Sequence, residues 1–102
     1  MTYSQPQLAD ITEYAGLFFA AKEIALIMDV PLGDFQRDIA NPDTDAHRAY
    51  LRGKLLAQAS VRKTVKSLAT SGSSPAIALL NKMIDEQAHA EAVMKQLYGQ
   101  AD

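Results

Sequence analysis

Arg48, Arg52, Arg62, Lys63 and Lys66 lie within residues 46–84, a segment that holds seven bases and no acid. Guanidinium and ammonium groups repeated in this way suit one chemistry, ionic contact with phosphate oxygens or with clustered carboxylates. The flanking segments have the opposite sign. Residues 1–45 carry eight acids and two bases, and residues 85–102 carry four acids and one base. The net charge of −2 therefore conceals a basic block between two acidic ones, and the asymmetry implies a polyanion or an acidic protein surface as partner. On a helix the five cations fall within an arc of roughly 100°, while Tyr50, Ala57, Val61, Val65 and Leu68 gather on the other side. Such a stripe contacts phosphates without reading sequence, although Leu55 interrupts it.

A second candidate for contact with nucleic acid is the stretch from Glu23 to Ile39. Ala25 is small where two helices must cross closely, Met28 follows three residues later, Val30 is an apolar plug in the turn, and Phe35 and Ile39 stand four apart. This spacing suits a helix-turn-helix, in which the second helix enters a major groove. The same spacing also suits a plain αα-corner. The second helix shows Asp34, Gln36, Arg37 and Asp38 as its exposed groups. Gln36 and Arg37 have the chemistry to read base edges, whereas Asp34 and Asp38 repel phosphate.

Other reactive groupings are sparse. The chain has two histidines and no cysteine. Asp43, Asp45 and His47 read as caps and solvated charges at a helix start. Glu86 and His89 form one Glu-x-x-His, which needs a second copy to hold a di-metal centre. No Ser-His-Asp set, phosphate loop or zinc-helix motif occurs. The expectation is no enzymatic activity, no catalytic residue, no metal and no cofactor.

The elements that would position these groups are helices, since no alternating strand pattern persists. The predicted fold is all-α: an N-terminal three-helix helix-turn-helix unit, then a long helix and a C-terminal helix. The five helices are expected at about 5–19, 21–28, 32–40, 44–70 and 75–98. Leu8, Ile11, Ala15, Leu17 and Phe18 form the apolar face of the first. Asp43 caps the fourth, which would span roughly 40 Å and either project or bend near Gly53. Gly72, Ser74 and Pro75 are the C-cap, N-cap and first helical position around the last turn. Residues 1–42 form the helix-turn-helix unit and 43–102 a long-helix hairpin, within one compact domain overall. In the last helix, apolar side chains including Leu79, Met83, Met94, Leu97 and Tyr98 spread over a wide arc. That breadth suggests two partners, and these five are expected to form an oligomer interface. No apolar run approaches the roughly 20 residues of a membrane span, and the first ten residues lack a basic secretory start, so a cytoplasmic protein without membrane association is expected.

Taken in order, Lys22 to Ile39, Ala49-Tyr50-Leu51-Arg52-Gly53-Lys54, Val61-Arg62-Lys63, Leu68-Ala69, Gly72-Ser73-Ser74-Pro75-Ala76-Ile77 and Leu80-Asn81-Lys82 resemble the small terminase subunits of tailed phages and prophages. The resemblance covers about residues 20–84. It implies a DNA-packaging adaptor that recognises double-stranded viral DNA, assembles into oligomeric rings and regulates a separate ATP-hydrolysing large terminase subunit. By position, Gln36 and Arg37 would face DNA, and Arg52 and Lys54 match basic positions of the family. The acidic second helix of the pair departs from that pattern. Two other functions stay open on the sequence: an interaction or oligomerisation module that binds no DNA, and a helix-turn-helix transcription regulator.

Overall fold

A computed structural model describes residues 1–99. Among them are five α-helices and no strand: α1 (Gln5–Gly16), α2 (Ala21–Met28), α3 (Leu32–Ala40), α4 (Asp45–Thr70) and α5 (Ser74–Tyr98). The chain divides into two compact units, residues 1–60 and 61–102.

The first unit is built on small and branched residues at helical spacing. Ile11 and Ala15 of α1, Ile24 and Ala25 of α2, Phe35 of α3, and Ala46 and Ala49 of α4 form its buried cluster. Phe35, Ile11 and Ile24 are its largest fully buried side chains. Each stabilises the fold by roughly 1.5–3 kcal/mol through burial. Two edge-to-face aromatic pairs, Tyr3 with Phe35 and Tyr14 with Phe19, close its margins.

Local signals start and stop these helices. Ser4 and Gln7 form a reciprocal capping box on α1, with Gln7 Oε1 accepting from the Ser4 N–H at 2.8 Å and Ser4 Oγ accepting from the Gln7 N–H at 3.3 Å. The helix stops at Gly16, short of the expected Phe19, because Phe18 turns into the left-handed region (φ 67°). Leu17 and Phe18 consequently lie exposed rather than on the apolar face of α1, and Phe19 packs against Tyr14 instead. Glu23 reaches back to accept from the Ala20 N–H at the start of α2. Asp29, also left-handed (φ 56°), ends that helix, and the Val30 N–H returns to the Ala25 carbonyl at 3.0 Å.

At the head of α4 it is the Thr44 hydroxyl, not Asp43, that accepts from the His47 N–H. The Asp43 N–H is itself held by Asn41 Oδ1. His47 Nδ1 sits 2.7 Å from the Ile39 carbonyl, tying the start of α4 to the end of α3. This places His47 in a structural bond between helices.

Gly53, read from sequence as a place for α4 to bend, is the point where α1 crosses it. A Cβ placed on Gly53 would lie 2.2 Å from the Thr12 carbonyl oxygen and 3.0 Å from Ala15 Cβ. One on Gly16 would lie 3.2 Å from the Gly53 carbonyl oxygen. Two backbones meet here with no side chain between them.

In the second unit, Val65 of α4 and Ala76 of α5 are buried. The turn between these helices uses Gly72 at φ 95°. The cap of α5 is Ser73, one residue earlier than expected. Its Oγ accepts from the Ala76 N–H at 3.4 Å, and Pro75 occupies the first turn. From Ile84 to Gly99 every side chain is exposed.

Candidate nucleic-acid interface

The candidate residues fall into separate groups. On α3, Gln36 and Arg37 are exposed. Arg37 forms an ion pair with Asp34 one turn earlier. Asp38, expected on the surface, is instead only 9% exposed. It lies three residues after Phe35 and one before Ile39, so it shares their inward face. Its Oδ2 accepts from the Tyr3 hydroxyl at 2.9 Å and lies 3.6 Å from the Met1 ammonium. The Tyr3 phenol is pushed well above its ordinary value, chiefly by burial. The hydrogen bond to Asp38 and the negative charges of Asp38 and Asp34 add to the shift.

With Asp38 turned inward and Asp34 matched by Arg37, the outer surface of α3 is far less repulsive to phosphate than its sequence implies. The five positions whose spacing suits a helix-turn-helix or an αα-corner share one environment. Ala25 and Phe35 are buried, and Met28, Val30 and Ile39 pack against the same core.

Arg48 and Arg52 lie on the exposed side of α4 in the first unit. They border a groove formed with Leu51, Leu55, Leu56 and Ala59. The sequence reading noted Leu55 but missed Leu51 and Leu56. The i, i+4 spacing of Leu51 and Leu55 was the available signal. Lys54, by contrast, places its Nζ 4.3 Å over the Tyr50 ring, so it is engaged within its own helix.

Arg62, Lys63 and Lys66 are exposed on α4 in the second unit. Among the described residues, none of the five stripe cations takes part in an ion pair, the two ion pairs being Met1–Asp38 and Arg37–Asp34. On the expected apolar side of α4, Val65 is buried, whereas Val61 and Leu68 are about half exposed.

Of the five expected interface residues on α5, Met83 is half-buried, and Leu79, Met94, Leu97 and Tyr98 are exposed. Among the described residues no group of three or more His, Asp or Glu side chains converges in a way that could hold a metal ion, and no helix is long and apolar enough to cross a membrane. Compared with family models, curated proteins and solved structures, the chain matches none.

Proposed function

We propose that this chain is a non-catalytic DNA-binding adaptor, in which α2 and α3 act as a helix-turn-helix and Arg62, Lys63 and Lys66 grip the phosphate backbone. The observation that carries this reading is that, among the described residues, those three cations are exposed and in no ion pair. A solvated cation with no carboxylate partner gives up only water and counterions when it meets phosphate, and counterion release drives such binding. The burial of Asp38 supports a role for α3, because it leaves Gln36 and Arg37 exposed on a surface where the Asp34 charge is already offset by Arg37. Together with the resemblance over residues 20–84, this reading makes the chain a DNA-recognition subunit of the small-terminase kind, working beside a separate large subunit.

The test is fluorescence anisotropy with duplex DNA across a salt series. Binding through three cations gives a slope of log affinity against log salt of about −0.9 per phosphate neutralised, or roughly −3 in all. The Arg62→Glu/Lys66→Glu double variant should abolish binding. Unchanged affinity in that variant would refute the phosphate-gripping role. Affinity that survives it but falls in Arg37→Ala would move the contact to α3 and favour a sequence-reading regulator.

A further inference from the structure

One groove on α4 of the first unit mixes cationic and apolar groups. Arg48, Leu51, Arg52, Leu55, Leu56 and Ala59 line it, with no acid among them. All six are exposed, the three leucines to about half. Arg48, Arg52, Leu55 and Ala59 follow one another at steps of four, three and four. They form one seam along the helix, with Leu51 on one side and Leu56 on the other. The seam begins with two cations and ends with apolar groups. From Arg48 to Ala59 it extends about 16 Å, the length of about three turns of a partner helix. Among the described residues neither arginine is in an ion pair. Lys54 differs, since its Nζ lies over the Tyr50 ring. Asp45 lines a separate polar groove on the other side of Arg48 and Arg52 and forms no ion pair with either.

We infer that this groove docks an acidic amphipathic helix of another protein, with its apolar side chains over Leu55, Leu56 and Ala59 and its carboxylates against Arg48 and Arg52. The combination of groups selects this occupant. A phosphate backbone satisfies the arginines but leaves the leucines in water. An uncharged apolar helix covers the leucines but takes the arginines out of water without a partner. A helix that carries both apolar anchors and carboxylates meets both demands, because guanidinium groups hold carboxylates in paired hydrogen bonds and an amphipathic helix lays its apolar face into a groove. Ala59, the smallest side chain of the seam, leaves room for a large anchor beside Leu55 and Leu56. An anionic lipid surface favours apolar groups that protrude beyond the basic ones, whereas these leucines line a depression at about half exposure. The contact separates Arg48 and Arg52 from Arg62, Lys63 and Lys66 within the cationic stripe. It stands whether or not those three grip DNA.

The test is selection of displayed helical peptides of about fifteen residues on the immobilised full chain, then fluorescence anisotropy with the enriched peptides synthesised and labelled. Enriched peptides should carry apolar residues three and four apart, with acids clustered at one end. Arg48→Glu/Arg52→Glu should weaken their binding by about tenfold or more. Peptides with those acids changed to lysine should prefer this variant to the wild type. Leu55→Ser, with circular dichroism to confirm folding, should weaken binding as well. Absence of enrichment, enrichment of peptides without acids, or failure of the lysine peptides to prefer the variant would each overturn the proposal. Three further results would overturn it by naming another occupant. Loss of duplex DNA affinity in Arg48→Glu/Arg52→Glu equal to that in Arg62→Glu/Lys66→Glu would put the arginines on phosphate. Binding to phosphatidylglycerol vesicles in place of peptides would put a lipid surface in the groove. Light scattering in which the arginine variant dissolves a wild-type oligomer would put a second copy there.

Discussion

Replacing Gly53 with alanine should destabilise the first unit even though alanine is the better helix former. The added methyl would lie 2.2 Å from the Thr12 carbonyl oxygen, so α1 and α4 must part by about 1 Å to reach ordinary contact. The obstructing atom belongs to the backbone and cannot swing aside. Parting the helices loosens the packing of Ile11 and Ala15 against Ala46 and Ala49, all buried in one cluster. Overpacking of this kind costs about 1–3 kcal/mol, and the rigid neighbour places Gly53 at the upper end. Helix propensity returns about 1 kcal/mol, leaving a net loss of about 2 kcal/mol. For a domain of this size that lowers Tm by about 8–16 °C. Thermal melts followed by circular dichroism measure it. Gly33→Ala is the control, because nothing lies within 4 Å of its added methyl. It should gain about 1 kcal/mol and a few degrees. A Gly53→Ala melting temperature equal to or above wild type would refute the close crossing.

The remaining predictions concern α3. Tyr3→Phe removes the hydroxyl that donates to buried Asp38 and should cost about 1–3 kcal/mol in denaturant titrations. Because the Tyr3 phenol is raised in the folded state, its contribution is complete below pH about 10 and is lost as the unfolded chain begins to release that proton. Wild-type stability should therefore fall above that pH, and Tyr3→Phe should lose this component of the slope; an identical slope in both would reject it. Asp34→Asn frees Arg37 from its ion pair and should raise DNA affinity severalfold at low salt, with the gain shrinking as salt rises. A fall in affinity would show that the pair itself is the recognised feature.

The helices were legible because period and punctuation agreed. Ile11, Ala15, Ile24, Ala25 and Phe35 stand at helical spacing, and Pro31, Pro42 and Gly72 mark the breaks. The misreadings have two causes, a partner distant in sequence and a local backbone turn that the apolar period does not reveal. Asp38 was read as solvent-facing because it is charged, yet its partner Tyr3 lies 35 residues away in sequence. Leu17 and Phe18 continued the apolar period of α1, but the left-handed turn at Phe18 took both off that face. Gly53 looked like flexibility because the crossing helix that requires it is 41 positions upstream at Thr12. In the candidate interface, charge segregation was plain in the sequence. Which cations stand among leucines was a matter of helical register, and only Leu55 had been noticed.

The distal half of α5 has no cover within its own unit, and a helix of about fifteen residues standing alone in water is marginal. Its backbone hydrogen bonds then persist in proportion to how often another surface lies over them. This tail should fray before any other element loosens, and deuterium uptake at residues 84–98 should outpace uptake in α1 to α3, whose side chains form the buried cluster. A segment of this kind keeps its helix only where another surface covers it, so its helicity reports whether a partner is present.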